Sequence, residues 1–310
     1  MPSISVVIVN YNSERFLRAN IESLLSQTER FHQIIFVDNN SSDRSVEILR
    51  RFTDITLIDL RENTGYPAAL NRGIRECDSD LILAANSDIR LDKNFVRAIS
   101  AGFENSPELD IASPLILRFG GDFIDSAGQE PSFALYPVET GFGSVYHPDN
   151  VSGGKIFSVC GAATVFRKAS LERLKVDEEY YDESYFMFWE DFDIGWRANL
   201  YGMNAWLLPE AVVHHYRGGT LKHSFITRFS MALGRPGDIK YHLVKNRYLT
   251  LLKNFRWPSD WYRLPVMFLK DLVWVGMLTL SSPKIIIRLL RSGGQFKTAL
   301  KRRKIIKNNE

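Results

Sequence analysis

Between Tyr181 and Arg197 the chain reads YDESYFMFWEDFDIGWR, which mixes two kinds of side chain that seldom share a segment. Asp182, Glu183, Glu190, Asp191 and Asp193 favour water, whereas Tyr185, Phe186, Phe188, Trp189, Phe192 and Trp196 favour burial. A carboxylate walled in by rings is biased towards its neutral form, which suits proton transfer. An amphipathic core helix with solvated acids explains the same letters equally well. A second candidate is Asn86-Ser87-Asp88, at the end of the apolar run Leu81–Ala84. Side chains two apart on a strand point the same way, so Asn86 and Asp88 form a small oxygen site suited to Mg²⁺ or Mn²⁺ on a diphosphate. A strand-ending turn accounts for these residues too. His214-His215 follows another apolar run and offers imidazole as a metal ligand, although alone the pair reads as ordinary exposed or core histidines.

These groups need elements to hold them. Ile4–Val9 (ISVVIV) is a continuous β-branched run, as expected of a strand buried on both faces of a parallel sheet. Further strands are expected at Gln33–Val37, Thr56–Leu60 and Leu81–Ala84, with helices over Glu14–Gln27, Ser45–Phe52, Ala68–Glu76 and Asn94–Phe103. Alternating strands and helices predict a doubly wound, mostly parallel α/β sheet flanked by helices. Its ligand crevice lies at the carboxyl ends of the strands, where Asn10, Asp38, Asn63 and Asp88 fall. Residues 119–158 are rich in Gly, Pro, Ser and aromatics and read as loops with short antiparallel strands. Val159–Arg167 resumes strand character, Leu171–Lys175 is a short helix, and Ala205–Leu208 and Ala211–His215 are two closing strands. The loop after the first strand, Asn10-Tyr11-Asn12-Ser13, lacks the glycines of a dinucleotide-binding fingerprint, and no P-loop is present.

The 310 residues include 39 Lys/Arg and 36 Asp/Glu, but the charges are segregated. Residues 221–310 carry a net charge of +15 and residues 1–220 a net charge of −12. The expected division is an α/β domain over 1–220, in two parts near 1–118 and 119–220, followed by a basic, amphipathic helical region over 221–310. Helical periodicity marks Phe225–Leu233, Tyr241–Phe255 and Lys284–Lys307. Leu264–Leu280 is strongly apolar but carries Lys270 and Asp271 at its middle, so a helix lying on a membrane or on the protein is favoured over a spanning one. Two cysteines, Cys77 and Cys160, lack metal-ligand spacing and fit a reducing compartment. The N-terminal apolar run is too short for a signal peptide, which places the expected location in the cytoplasm.

In order along the chain stand VVIVNYNS, VDNNSSD, NTGYPAALNRGI, LILAANSDI, CGAATVFRK, FMFWEDFDIGWR and PEAVVHHYRGGT. Over residues 3–220 this set resembles the inverting family 2 glycosyltransferases of GT-A fold, nearest to their rhamnosyltransferase-like branch. The resemblance implies that Val9, Asn10, Tyr11, Asn12 and Asp38 hold the base and ribose of a nucleotide sugar, with Asp38 accepting from the pyrimidine N–H. It implies that Asn63, Gly65, Asn71 and Arg72 line the nucleotide and diphosphate. Asn86-Ser87-Asp88 takes the place of the family's DxD motif, with Asp88 as metal ligand and a neutral Asn86 where the first acid would stand. His215, five residues before Thr220, matches the metal-binding histidine better than His214. Gly161 and Ala162 let backbone approach the donor sugar, and Trp189 lines its pocket. Glu190-Asp191 matches the ED motif, so Asp191 is the implied general base and Glu190 its neighbour, holding the acceptor or orienting Asp191.

The implied reaction moves a sugar, L-rhamnose from dTDP-rhamnose in the first instance, to a saccharide or polyprenyl-linked acceptor in bacterial cell-surface polysaccharide synthesis. UDP- or GDP-sugar donors are the alternative, as is a non-catalytic nucleotide-sugar-binding protein. The implied cofactor is Mg²⁺ or Mn²⁺. The basic tail suits an anionic membrane surface contacted through residues 240–307, which makes the expected protein peripheral at the inner face of the cell membrane. No recognition helix or RNA-binding motif supports a nucleic-acid partner.

Overall fold

The β-branched run at the N-terminus forms a strand, β1 (Ile4–Asn10), buried along its whole length. Its company explains that burial. In the computed structural model, which describes residues 1–216 and 234–310, β1 pairs in parallel with both β2 (Gln33–Asp38) and β4 (Leu81–Asn86). α1 (Glu14–Leu25) covers one face of these strands with Leu17, Ile21 and Leu24, and α3 (Tyr66–Ile74) covers the other with Ala69, Leu70 and Ile74. The short α2 (Ser45–Leu49) leads to β3 (Thr56–Asp59), the parallel edge strand beside β2. The expected helix Phe225–Leu233 lies outside the described residues.

Beyond β4 the sheet becomes mixed. β5 (Ile89–Leu91) and α4 (Phe95–Asn105) precede β6 (Ile111–Arg118), and β7 (Ile124–Ser126) folds back antiparallel on β6. The short strands expected over 119–158 are present as β7, the β8–β9 hairpin (Gln129–Pro131 and Pro137–Glu139) and β10 (Gly154–Lys155). β11 (Ala163–Arg167) runs antiparallel between β4 and β6 and is followed by α5 (Lys168–Arg173). After α6 (Glu190–Leu200) comes β12 (Ala205–His215), parallel to β6 and antiparallel to β5. β12 is one strand where the sequence suggests two, because a register shift between Leu208 and Val212 absorbs the Pro209-Glu210 interruption.

The strand order β10-β12-β6-β11-β4-β1-β2-β3 makes a mixed, mostly parallel sheet with helices on both faces, in agreement with the sequence. The carboxyl ends of β1, β2 and β4 meet at one edge, as expected.

The C-terminal helices are α7 (Gly237–Asn254), α8 (Trp257–Asp260), α9 (Leu264–Ser281), α10 (Lys284–Arg291) and α11 (Gly293–Asn308). Much of the polar surface of α7 is buried: Lys245, Asn246, Arg247, Lys253 and Asn254 are each at most 1% exposed. These side chains reach the acidic stretch before and within α6. Lys253 Nζ lies 2.6 Å from Asp182 and 3.0 Å from Asp193, and Asn254 donates to Asp193 (2.8 Å). Arg197 reaches the other oxygen of Asp193 (3.2 Å). Arg302 of α11 pairs with Asp177 and Glu179. The segregated charges therefore neutralise one another inside the fold. Burial pushes the Asp182 carboxyl up, but Lys253 and Arg302 outweigh it and hold the group far below the ordinary aspartate range.

The stability that Asp182 gains from these cations is present above the ordinary aspartate pKa and is lost as pH falls below about 4. Replacing Lys253 by Met leaves two buried carboxylates without their ammonium. The expected loss is about 3–5 kcal/mol, read as a lower urea midpoint at neutral pH, and the difference from wild type shrinks in acid. An unchanged midpoint at neutral pH contradicts this account.

Candidate active site

The first strand ends in a polar knot. Asp38 is fully buried and accepts from Asn10 Nδ2 (2.6 Å), Ser41 N (2.8 Å) and Ser41 Oγ (2.6 Å). Asn12 adopts a left-handed backbone (φ 52°) and ties to Ser41 and Ser42. Val9 is buried in the sheet, while Tyr11 stands half exposed at its edge. Next along that edge, Asn63 Oδ1 accepts from Asn39 Nδ2 and the Gly65 amide, both at 3.0 Å. Gly65 has φ 85°, and a Cβ there would sit 2.7 Å from Phe186. Glycine is thus required both by conformation and by the approach of the aromatic stretch. Asn71 uses both ends of its amide on Tyr181 (Oδ1 from Tyr181 N, 2.9 Å; Nδ2 to Tyr181 O, 2.8 Å) and so ties α3 to the acidic aromatic stretch. Arg72 pairs with Glu76 on the exposed side of the same helix.

Contrary to the expectation from sequence, Asn86 and Asp88 do not share a strand. β4 ends at Asn86, and Ser87-Asp88 form a turn into β5, so pleat alternation does not orient Asp88. Its position comes instead from β12, where the Tyr216 amide donates to Asp88 O (2.9 Å) and His215 pairs with Ile89. The Asn86 amide is held by Ala162 O (3.0 Å), and Ser87 Oγ bonds Ser13 Oγ (2.8 Å). The consequence is that His215 Nε2 lies 3.4 Å from Asp88 Oδ2, while His215 Nδ1 meets Asp125 Oδ2 at 2.8 Å. Asp125 is fully buried. Burial disfavours the His215 imidazolium, but hydrogen bonds to Asp125 and Asp88 prevail and raise its pKa to about 9. His214 faces elsewhere, lining a surface hollow with Arg90 and Asp92.

This arrangement fits a divalent cation. One partly exposed carboxylate and one imidazole nitrogen face each other, and a buried carboxylate fixes the ring through its other nitrogen, as outer-shell partners of metal-bound histidines do. No cluster of three or more His, Cys, Asp or Glu suited to a metal occurs among the described residues. Two protein ligands leave positions for water and diphosphate oxygens, which Mg²⁺ and Mn²⁺ accept.

The acidic aromatic stretch runs into a helix start. Glu190 and Asp191 open α6, whose N-terminal dipole favours negative charge. The turn before it is unusual. Phe186, Phe188 and Trp189 have φ of 66°, 66° and 75°, a conformation that costs side-chain-bearing residues about 1–3 kcal/mol each. Surrounding structure enforces it. Asn246 Nδ2 of α7 lies within hydrogen-bond distance of Tyr185 O, Met187 O and Phe188 O (3.0, 2.6 and 2.8 Å), and Phe186 O accepts from the Tyr66 amide (2.7 Å). Phe192 and Tyr185 are fully buried, and Trp189 packs edge-on to both Tyr136 and Phe192.

Asp191 Oδ2 accepts from Gly161 N and Gln129 Nε2, both at 2.9 Å, and Oδ1 accepts from Phe192 N (2.8 Å). A carboxylate has about four acceptor positions, so one on Oδ1 stays free to take a proton. Burial raises the Asp191 pKa against these donors, and burial with the neighbouring Asp191 raises that of Glu190. A Cβ on Gly161 would lie 3.2 Å from Asp191, so this glycine admits the carboxylate itself. Ala162 is buried behind it.

Gln129, Asp125 and Asn246 escaped the sequence reading. Asp125 and Gln129 sit in short strands of the irregular segment, and Asn246 in a helix whose polar stripe reads as solvated until its acidic partners are known.

Helices on both faces of a mixed, mostly parallel sheet place the chain in the GT-A fold class of glycosyltransferases. The family model for glycosyl transferase family 2 matches residues 5–175, and the chain belongs to that family. It is 24% identical over 286 residues to an N-acetylglucosaminyl-diphospho-decaprenol L-rhamnosyltransferase of Mycobacterium tuberculosis, covering 85% of this chain and 87% of the relative. Among solved structures, the fold is similar to GalNAc-T7 crystallised with UDP, GalNAc and Mn²⁺ (TM-score 0.59, 16% identity, 79% of this chain covered). The match spans 47% of the GalNAc-T7 chain. It is also similar to residues 1–349 of TarS from Staphylococcus aureus (TM-score 0.58, 16% identity, 96% and 81% of the two chains covered).

Asp125→Asn keeps the shape but weakens the hold on His215. The expected result is a roughly 10–100-fold loss of Mn²⁺ affinity by calorimetric titration. Wild-type affinity in this variant contradicts the positioning role of Asp125.

Proposed function

We propose that this glycosyltransferase transfers L-rhamnose, with inversion, from dTDP-rhamnose to a lipid-linked saccharide at the cytoplasmic face of the membrane. The similarity to the decaprenol-linked rhamnosyltransferase along most of both chains carries the donor and acceptor assignment. A UDP-sugar is the second reading, favoured by the UDP in the GalNAc-T7 crystal structure.

In this reading Asp191 is the base. Its free acceptor position on Oδ1 takes the acceptor hydroxyl proton as the oxygen attacks the anomeric carbon, and the nucleoside diphosphate leaves from the opposite face. The transition state is oxocarbenium-like, as in glycoside hydrolysis. Trp189, Phe192 and Tyr185 keep water from the donor. Asp88 and His215 would hold a divalent cation, which would supply positive charge to offset that developing on the leaving diphosphate. Asn10, Tyr11, Asn12, Asp38, Asn63 and Gly65 form the nucleotide edge, with Asp38 ordering the loop that the base meets.

The membrane assignment rests on α9. Its inward side carries Met267, Asp271 and Leu278, with Asp271 paired to Arg247 at 2.7 Å. Its outward side presents Phe268, Leu269, Leu272, Val273 and Leu280, each roughly half or more exposed. The stretch is long and apolar enough to cross a membrane, yet its central charge is committed to the protein on one flank. A helix lying in the interface satisfies both observations. On α10, Ile286, Ile287 and Leu290 are exposed among Lys284, Arg288 and Arg291, which suits anionic headgroups.

Asp191→Asn is expected to lower kcat by about 10²–10⁴-fold while calorimetry finds nucleotide-sugar affinity preserved; normal turnover removes Asp191 as the base. In thermal-shift and transfer assays with Mn²⁺, dTDP-rhamnose should stabilise and react, with polyprenyl-diphospho-GlcNAc as acceptor. Turnover with a UDP-sugar and none with dTDP-rhamnose would favour the second reading. Phe268→Glu with Leu269→Glu should cut co-sedimentation with anionic liposomes by about tenfold or more, and undiminished binding counts against the α9 surface.

A further inference from the structure

Two adjacent carboxyl groups open α6, Glu190 buried and Asp191 partly so, and such a pair does not readily carry two negative charges. The donors around them are unequally shared. Asp191 receives the Gly161 amide, the Gln129 side chain and the Phe192 amide. Glu190 is 8% exposed, and its Oε2 is buried with no hydrogen-bond partner. An unpartnered oxygen in such a place is tolerable on a neutral acid and costly on a carboxylate.

Gln129 explains much of the asymmetry. It is 3% exposed and lies at the start of the β8–β9 hairpin. Its Nε2 sits 2.9 Å from Asp191 Oδ2 and 3.1 Å from Glu139 Oε1. The orientation of the amide follows from this contact, because its oxygen would be repelled by two carboxylates while its NH₂ supplies one hydrogen to each. Glu139 is itself held by Ser126 Oγ (2.6 Å), so the amide approaches Asp191 from a fixed support.

We propose that Gln129 is a positioning residue that, with the Gly161 amide, fixes the negative charge on Asp191 and leaves the shared proton on Glu190. Asp191 then waits as the base while Glu190, as a neutral acid, donates a hydrogen bond to a sugar hydroxyl in the cleft. The ionisable groups facing the pair are Asp193 on α6, Tyr66 on α3, Tyr181 and, behind Gln129, Glu139. Burial raises both carboxyl groups, and the neighbouring Asp191 raises Glu190 further. The inference rests on the reading of Asp191 as base.

The test is the pH profile of kcat/KM in the full chain. Wild type is expected to lose activity in acid as Asp191 takes a proton, and in alkali as Glu190 gives one up. Gln129→Met removes the donor at similar volume. It should move the acid limb upward by about one pH unit or more and lower kcat near neutrality, with a much smaller effect on the donor KM. A purely structural role for Gln129 would reduce folded enzyme without moving that limb. Glu190→Gln should eliminate the alkaline limb, since an amide has no proton to lose in this range. An unmoved acid limb in folded Gln129→Met, or a persisting alkaline limb in Glu190→Gln, overturns the proposal. Asp191→Asn separates the two readings: its normal turnover would remove the base assignment itself, whereas an inactive Asp191→Asn beside an unshifted Gln129→Met removes only this inference.

Discussion

A single ammonium group holds the two ends of the acidic aromatic stretch. Lys253 Nζ sits between Asp182 and Asp193, all three nearly or fully buried. Buried carboxylates demand compensation, and this protein supplies it from a helix more than fifty residues away in sequence. Removing water from these charges makes their attraction strong but also makes any missing partner costly. The acidic stretch and α7 therefore stabilise each other.

That mutual dependence fixes the geometry around Glu190 and Asp191. Asn246, one helical face with Lys253 and Asn254, holds the left-handed turn that delivers Glu190 and Asp191 to the start of α6. Gly65 and Tyr66 grip the same turn from the nucleotide side. The Glu190-Asp191 pair is thus suspended between the parallel half of the sheet and the C-terminal helices. Strain at three aromatic residues is sustained because several independent contacts over-determine the turn.

The basic C-terminal region serves two purposes by its two surfaces. Its inward cations neutralise the acids of the catalytic half, and its outward face is apolar with cations at intervals. Asp271 illustrates the division. In the sequence it reads as a charge interrupting an apolar run; in the fold it meets Arg247 and Tyr136 on the protein side. The apolar stripe is left continuous on the opposite side of α9.

The sequence alone determined the parallel strands of the sheet and the polar edge at their carboxyl ends. Periodicity is local, so the β-branched runs of β1, β2 and β4 and the polar residues at their ends were legible without tertiary information. The motif order identified Asp191, Glu190, Asp88 and His215 as candidates. What joins them was not legible. Gln129 touches Asp191 across 62 residues, and Asp125 touches His215 across 90. Neither contact leaves a periodic or motif signal, because each is made by a loop or short strand whose path is set by the packed sheet. The same reason hid the fate of the basic tail. Net charge can be counted along a chain, but whether a lysine faces lipid, water or a buried aspartate depends on which surfaces the fold brings together. Here α7 packs against the acidic stretch, so Lys253 meets buried aspartates.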